Sequence, residues 1–269
     1  MTLVLRYAAA SHPGLIREHN EDSCRAGRQL LAVADGMGGA AGGEVASRLA
    51  ITALAPLASD PSDDDPATVL CEAVRDANRR LGEASAAQPE LEGMGTTLTA
   101  LYLSGGRIAL AHVGDSRAYR LTESEFTQLT RDDSYVQMLV DRGVITVEEA
   151  ASHPHRSLVT RVLKGVPEDI TCTFWDAVPG ERYLVCSDGL NAAVSPAAIE
   201  ETLREQGDPA VCVDRLIDLA LRGGAPDNVT AVIGDVVDEP DDPPRWRPSF
   251  PRLIMLLAVL GYGLSSIRH

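Results

Sequence analysis

Aromatic residues make up only 4% of this 269-residue chain, so its core must be built from aliphatic side chains. Alanine, valine and leucine supply them, within a 45% hydrophobic fraction large enough for a sizeable core. Basic residues are outnumbered as well: 24 Lys and Arg face 39 Asp and Glu, for a formal net charge of −15. That balance argues against nucleic-acid binding driven by phosphate attraction. Much of the acid excess, such as the 60–65 run, reads as solvated surface. The five cysteines (24, 71, 172, 186 and 212) stand apart with no Cys-x-x-Cys pair. This excludes a zinc site and a disulfide framework, and it predicts reduced thiols. The opening Met1-Thr2-Leu3-Val4-Leu5-Arg6-Tyr7 lacks the basic region and long apolar run of a signal peptide, and reads as a strand. No Asp-x-Asp-x-Asp-Gly calcium loop is present.

What the chain does have is acid at the ends of apolar runs. Asp35 follows the apolar stretch 30–34, Asp188 follows 183–186, and each precedes a glycine. That pattern places a carboxylate at the end of a buried strand, where the chain turns sharply. Asn20-Glu21-Asp22 and Pro226-Asp227-Asn228 add further acids. A single Asp-Gly is ordinary turn chemistry. Several converging carboxylates would repel one another unless cations neutralised them, and hard oxygen ligands suit Mg²⁺ or Mn²⁺.

Val45, Leu49, Ala53 and Leu57 recur at helical spacing, and 66–86 predicts a second helix with Val69, Ala73 and Ala77 on its buried stripe. Strand character follows at 96–103, 107–113 and 117–121, separated by short glycine turns that predict antiparallel hairpins. Helices are expected over 134–142, 147–151, 196–204 and 209–222, with strands over 170–175, 182–186 and 228–237. The order predicts an α+β fold with helices packed on antiparallel sheets. A proline-dense linker over 238–252 then leads to a short apolar segment, 253–269. Its apolar run, 253–267, is short against the roughly 20 residues a full bilayer crossing needs. Two readings stay open for it: membrane contact, and docking on the protein's own surface.

Read in order, Gly14-Leu15-Ile16-Arg17-Glu18-His19-Asn20-Glu21-Asp22, Ala34-Asp35-Gly36-Met37-Gly38-Gly39, Gly95-Thr96-Thr97, Val113-Gly114-Asp115-Ser116-Arg117, Ser187-Asp188-Gly189 and Asp227-Asn228-Val229-Thr230 resemble the bacterial metal-dependent protein phosphatases, the protein phosphatase 2C family. The resemblance spans about 7–235, so 1–237 is expected to be one catalytic domain. It implies a four-layer αββα sandwich, with two central antiparallel sheets flanked by helix pairs. It also implies hydrolysis of phosphoserine and phosphothreonine by a hydroxide bridging two Mn²⁺ or Mg²⁺ ions. By the same resemblance Asp35 bridges both ions, Gly36 offers a backbone carbonyl, and Asp188 and Asp227 complete the shell. Glu21 and Asp22 match a pair that binds metal through water, and Arg17 matches the arginine that grips substrate phosphate. A third ion is expected at Asp188 and Asp132, with Asp133 as the alternative to Asp132. Gly95, Thr96, Thr97, Gly114, Asp115 and Arg117 are expected to be structural, and His112 to be a packing histidine. Met37 stands where many relatives carry a histidine suited to general-acid work, and methionine has no proton to donate.

The expected partners are phosphorylated proteins, among them a Ser/Thr kinase or its targets, met by a cytoplasmic monomer that contacts the inner membrane face if 253–267 is an anchor. The competing expectation is an inactive scaffold that keeps the fold and binds phosphoproteins. Scaffolds of that kind lose their carboxylates, and this chain has the full set.

Overall fold

The computed structural model describes residues 2–38, 42–58 and 64–239. The expected linker and apolar segment, and with them the expected membrane contact, lie almost wholly outside the described residues. Among the described residues no helix is long and apolar enough to cross a membrane.

The chain opens with β1 (Leu3–His12), β2 (Asp22–Ala26) and β3 (Leu30–Met37), then enters α1 (Gly42–Leu54) and α2 (Pro66–Ala87). Asp65 caps α2 by accepting from Thr68 N, and Pro66 occupies the first turn, where no N–H is needed. Short strands follow: β4 (Gly95–Thr96), β5 (Leu98–Ser104), β6 (Arg107–Val113), β7 (Arg117–Leu121) and β8 (Phe126–Gln128). Two small helices, α3 (Tyr135–Asp141) and α4 (Val147–Ala151), precede β9 (Cys172–Asp176) and β10 (Arg182–Cys186). Helices α5 (Asp188–Ala193), α6 (Pro196–Glu205) and α7 (Pro209–Arg222) lead to the last strand, β11 (Val229–Asp238).

The strands form two sheets, ordered β1-β11-β10-β7-β8 and β2-β3-β5-β6-β9, with β4 paired to the end of β3. Neighbours run antiparallel throughout these ladders. Strand β3 shows why the sheets stack. Leu30, Ala32 and Ala34 enter the core shared with α1 and α2, whereas Leu31 and Val33 enter the core between the sheets. Strand β11 alternates in the same way: Val229, Ala231 and Ile233 face the α6–α7 core, and Val232 and Val236 face the other sheet. Successive side chains point to opposite faces, so a strand apolar on both faces must be covered on both. The outcome is the four-layer αββα sandwich the resemblance implies. Gly234 helps the layers close, since a Cβ there would sit 2.8 Å from Leu31 Cδ1.

Some local expectations shift. The buried face of α1 includes Ala46, Ala50, Leu54 and the expected Ala53, with Val45, Leu49 and Leu57 at its margin, because small residues let the helix lie close to the sheet. In α2 the buried stripe is Leu70, Val74, Ala77 and Leu81, one position round from Val69 and Ala73. The predicted strand over 96–103 divides at Thr97, whose side chain is engaged by neighbouring backbone. The expectation of uniformly reduced cysteines is corrected: Cys71 of α2 and Cys172 of β9 form a disulfide across 101 residues. Cys24, Cys186 and Cys212 are free.

Candidate active site

Strand ends from both sheets meet at one cleft of ≈ 520 Å³. Strand β3 brings Asp35, Gly36 and Met37, the start of α5 brings Asp188, and the turn before β11 brings Asp227 and Asn228. The β1–β2 loop adds Ile16, Arg17, Glu18, His19 and Glu21, while Ser157 and Val159 form the facing wall. A larger hollow, ≈ 610 Å³, lies at the far ends of β10 and β11. Its charges are balanced internally, Asp235 between Arg6 and Arg182 and Arg204 with Glu200, so the chemistry resides in the smaller, uncompensated cleft.

The backbone around each acid is tightly held. Asp35 N donates to Thr97 Oγ1 at 3.0 Å, and Asp35 O accepts from Thr97 N and Thr96 Oγ1, each at 2.9 Å. Gly36 has no room for a side chain, since a Cβ would strike the Gly43 carbonyl. Asn228 ties three segments together: Nδ2 donates to Pro13 O (3.0 Å) and His19 O (2.8 Å), and Oδ1 accepts from Glu21 N (2.8 Å). It anchors the arginine-bearing loop beside Asp227. Thr96, Thr97 and Asn228 thus fix the backbone of Asp35 and of the β1–β2 loop.

Asp22 lies opposite Asp35 in the β2–β3 register but is absent from the cleft wall. Its Oδ2 accepts from Ser187 Oγ (2.7 Å) and Thr230 Oγ1 (2.6 Å), joining one sheet to the other beneath the site. Arg17 reaches from the rim to Asp227 Oδ2 at 2.8 Å, with its side chain 57% exposed. The two residues expected at a third ion, Asp132 and its alternative Asp133, are both engaged within the protein. Asp132 receives three hydrogen bonds from Arg117 (2.7–3.2 Å) and does not line the cleft. Asp133 accepts from Gly114 N at 3.0 Å and from Arg161, so it too is engaged. Asp115, expected to be purely structural, lines the cleft instead. The signal is partial: like Asp35 it stands at the end of an apolar strand, but its glycine, Gly114, precedes it.

Burial raises Glu21, Asp22, Asp35, Asp115 and Asp188 above their ordinary range. It holds Asp35 well above that range, with Asp22, Asp188 and Asp115 adding repulsion. Burial lifts Asp115 to about 7, aided by Asp188 and Asp132. Asp22 also rises to about 7 through burial, although its bonds from Thr230 and Ser187 pull the other way. For Asp188 the causes are burial, then Asp227; Asp35 stands close enough to hydrogen-bond it. Glu21 is raised by burial and eased by Arg17. The thiols offer no nucleophile, since burial pushes Cys24 up to about 11 and Cys186 to about 12.

A model of the protein phosphatase 2C family, described as "Protein phosphatase 2C", matches residues 17–212. The chain belongs to that family. It is 55% identical over 238 residues to the serine/threonine protein phosphatase PstP of Mycobacterium tuberculosis, covering 88% of this chain and 46% of the relative. It thus spans about half the length of that relative. It is also 33% identical over 232 residues to the serine/threonine phosphatase stp of Listeria monocytogenes, covering 82% and 91% of the two chains. Among solved structures, the PstP catalytic domain in complex with two manganese ions aligns at 53% identity and a TM-score of 0.83, covering 88% of this chain and all of that one. The M. tuberculosis PstP/Ppp structure aligns at a TM-score of 0.85 with 53% identity, covering 87% and 100%.

The donor set suits hard divalent cations. Asp188 Oδ1 and Asp22 Oδ1 are buried without a hydrogen-bond partner. A buried acid so left is costly unless a cation meets it. Among the described residues no group of three Asp, Glu, His or Cys side chains would enclose an ion unaided.

Proposed function

We propose that this chain is a metal-dependent protein serine/threonine phosphatase that hydrolyses phosphoserine and phosphothreonine esters. The observation that carries the reading is the cleft wall of Asp35, Asp188, Asp227 and Asp115, faced by Arg17 as its one arginine. When bound, two divalent ions lower the pKa of water and neutralise charge on phosphoryl oxygens. Asp35, with the Gly36 carbonyl, and Asp188 and Asp227 would hold them; Glu21 would act through water, and Asp22 holds the layer beneath. Asp115 with Asp188 would take a third ion in place of Asp132. Thr96, Thr97 and Asn228 keep the acids in register. Arg17, at the rim, would grip two phosphoryl oxygens with its planar fork. Met37 lines the cleft and supplies no proton, so another group must protonate the leaving alkoxide.

The complete acid set favours an enzyme over a phosphoprotein-binding scaffold. In the cell we expect phosphorylated proteins as substrates, among them a Ser/Thr kinase or its targets, and a cytoplasmic monomer whose 253–267 segment contacts the inner membrane face. Phosphate release from a phosphothreonine peptide is expected with Mn²⁺ and not in excess chelator. Full activity in chelator, or none with Mn²⁺, overturns the proposal. Fractionation of the full chain and of a form ending at Glu239 tests the membrane contact, which fails if both stay in the supernatant.

A further inference from the structure

The mouth of the cleft is more apolar than its floor. Leu15 and Ile16, next to Arg17, are 62% and 70% exposed, and Ile16 lines the cleft. On the facing wall Leu158 is 52% exposed, between the cleft-lining Ser157 and Val159. Consecutive large apolar side chains in water are unfavourable, and here the backbone holds them there. Leu15 N donates to Ala225 O at 3.0 Å, and Gly14 N donates to His12 Nδ1 at 3.0 Å. Gly14 adopts φ 81° against the Asp227 carbonyl, where a side chain would collide. On the other lip, Leu158 O accepts from Tyr135 N at 2.8 Å and Leu158 N donates to His155 O at 3.1 Å. Both lips are braced outward.

We infer that Leu15, Ile16 and Leu158 form an apolar clamp selecting phosphopeptides with aliphatic residues beside the phosphorylated one. This rests on the proposed phosphatase reading and names the class of substrate. The occupant follows from position and charge. The lips continue directly from the phosphate-gripping Arg17, so a chain whose phosphoryl group enters the cleft must lay its neighbouring side chains on them. Glu18 and Glu21 also border this mouth, so acidic flanks would be repelled. Apolar flanks gain by burial against leucine and isoleucine.

The test uses the full chain with Mn²⁺ and three phosphothreonine peptides flanked by Leu, Ser or Asp. Binding is read in parallel by fluorescence anisotropy of the same peptides carrying a non-hydrolysable phosphonate. The expected order is Leu over Ser over Asp, with Leu ahead of Ser by about tenfold in kcat/KM and Kd, the effect of half-burying one leucine. Leu15→Ser with Ile16→Ser should collapse the Leu-to-Ser ratio toward one, and Leu15→Met with Ile16→Val should keep it. Equal values for Leu and Ser peptides in the parent, or a ratio the serine pair leaves intact, overturns the clamp while the phosphatase reading stands. No phosphate release from any peptide overturns both. A dimer that the serine pair dissolves, with selectivity unchanged, assigns the lips to a second copy of this chain and also overturns the clamp.

Discussion

The two ends of β10 and β11 treat buried acid in opposite ways. At one end Asp235 accepts from Arg182 Nε at 2.6 Å and Nη2 at 3.0 Å and from Arg6 Nη2 at 2.7 Å. At the other end Asp22, Asp35, Asp115 and Asp188 crowd together, and the arginine at that cleft, Arg17, bonds only Asp227. The first arrangement is complete within the protein. The second is complete only when positive charge arrives from solution. Burial alone therefore does not mark a functional acid; burial without a built-in counter-charge does.

The comparison breaks most sharply at Asp35. Asp35→Asn is expected to lower kcat at least about a thousandfold, since Asp35 is the residue proposed to hold the ions that would activate water. The same variant in chelator should melt above the parent, because one repelling charge is gone. A melting point at or below the parent's would show that Asp35 is not destabilising. Asp235→Ala should do the reverse. Leaving Arg182 buried without its partner is expected to cost about 3–5 kcal/mol in urea unfolding, with Mn²⁺ affinity by calorimetry unchanged.

Protonation sharpens the contrast. Asp22 and Asp115 are raised to about 7 in the fold against an ordinary 3.8. Between those limits the metal-free folded state holds more protons than the unfolded chain, so its stability falls as pH rises from about 4 to about 7. On the proposed reading Mn²⁺ binding at Asp115 releases its proton, so the apparent affinity climbs across the same window. Melting points with chelator and with Mn²⁺ should diverge from pH 5 to pH 8. Parallel curves would remove Asp115 from the ion site.

Smaller effects separate the remaining residues. Asp115→Ala should lower turnover several-fold and shift its Mn²⁺ titration, whereas Asp132→Ala should chiefly lower stability by freeing Arg117. Identical metal titrations for both would return Asp132 to the site. Arg17→Ala should mainly raise KM, with Arg17→Lys recovering part of the loss, because lysine offers a point charge and not a fork. Kinetics equal to the parent on a phosphopeptide would show that Arg17 does not touch phosphate.

Much of this was readable before any coordinates. Asp35 and Asp188 announce themselves by ending apolar runs ahead of glycine, and α7 falls where its proline start and aligned Val213, Leu216, Ile217 and Ala220 place it. Asp115 follows its glycine and precedes Ser116, so that pattern does not mark it. Asp132 matches the resemblance in one dimension, and the fold adds what spacing does not show, its hydrogen bonds from Arg117. The Cys71–Cys172 link spans 101 residues and leaves no local trace in spacing. The face of α1 shifts toward Ala46 and Ala50, where small residues allow close approach to the sheet, and that of α2 by one position to Leu70 and Val74.

Strand β1 pairs along its whole length with β11, so Leu3 meets Asp238 and His12 meets Val229. The first strand synthesised thus waits for the last. Until the end of the domain leaves the ribosome, β1 lacks its neighbour, the loop holding Arg17 lacks Asn228, and the acids of β3 lack Asp227. Such long-range pairing is slow to close. A nascent or truncated chain short of β11 therefore has an open sheet edge and an unassembled cleft, and the chain acquires its chemistry only when it can be finished.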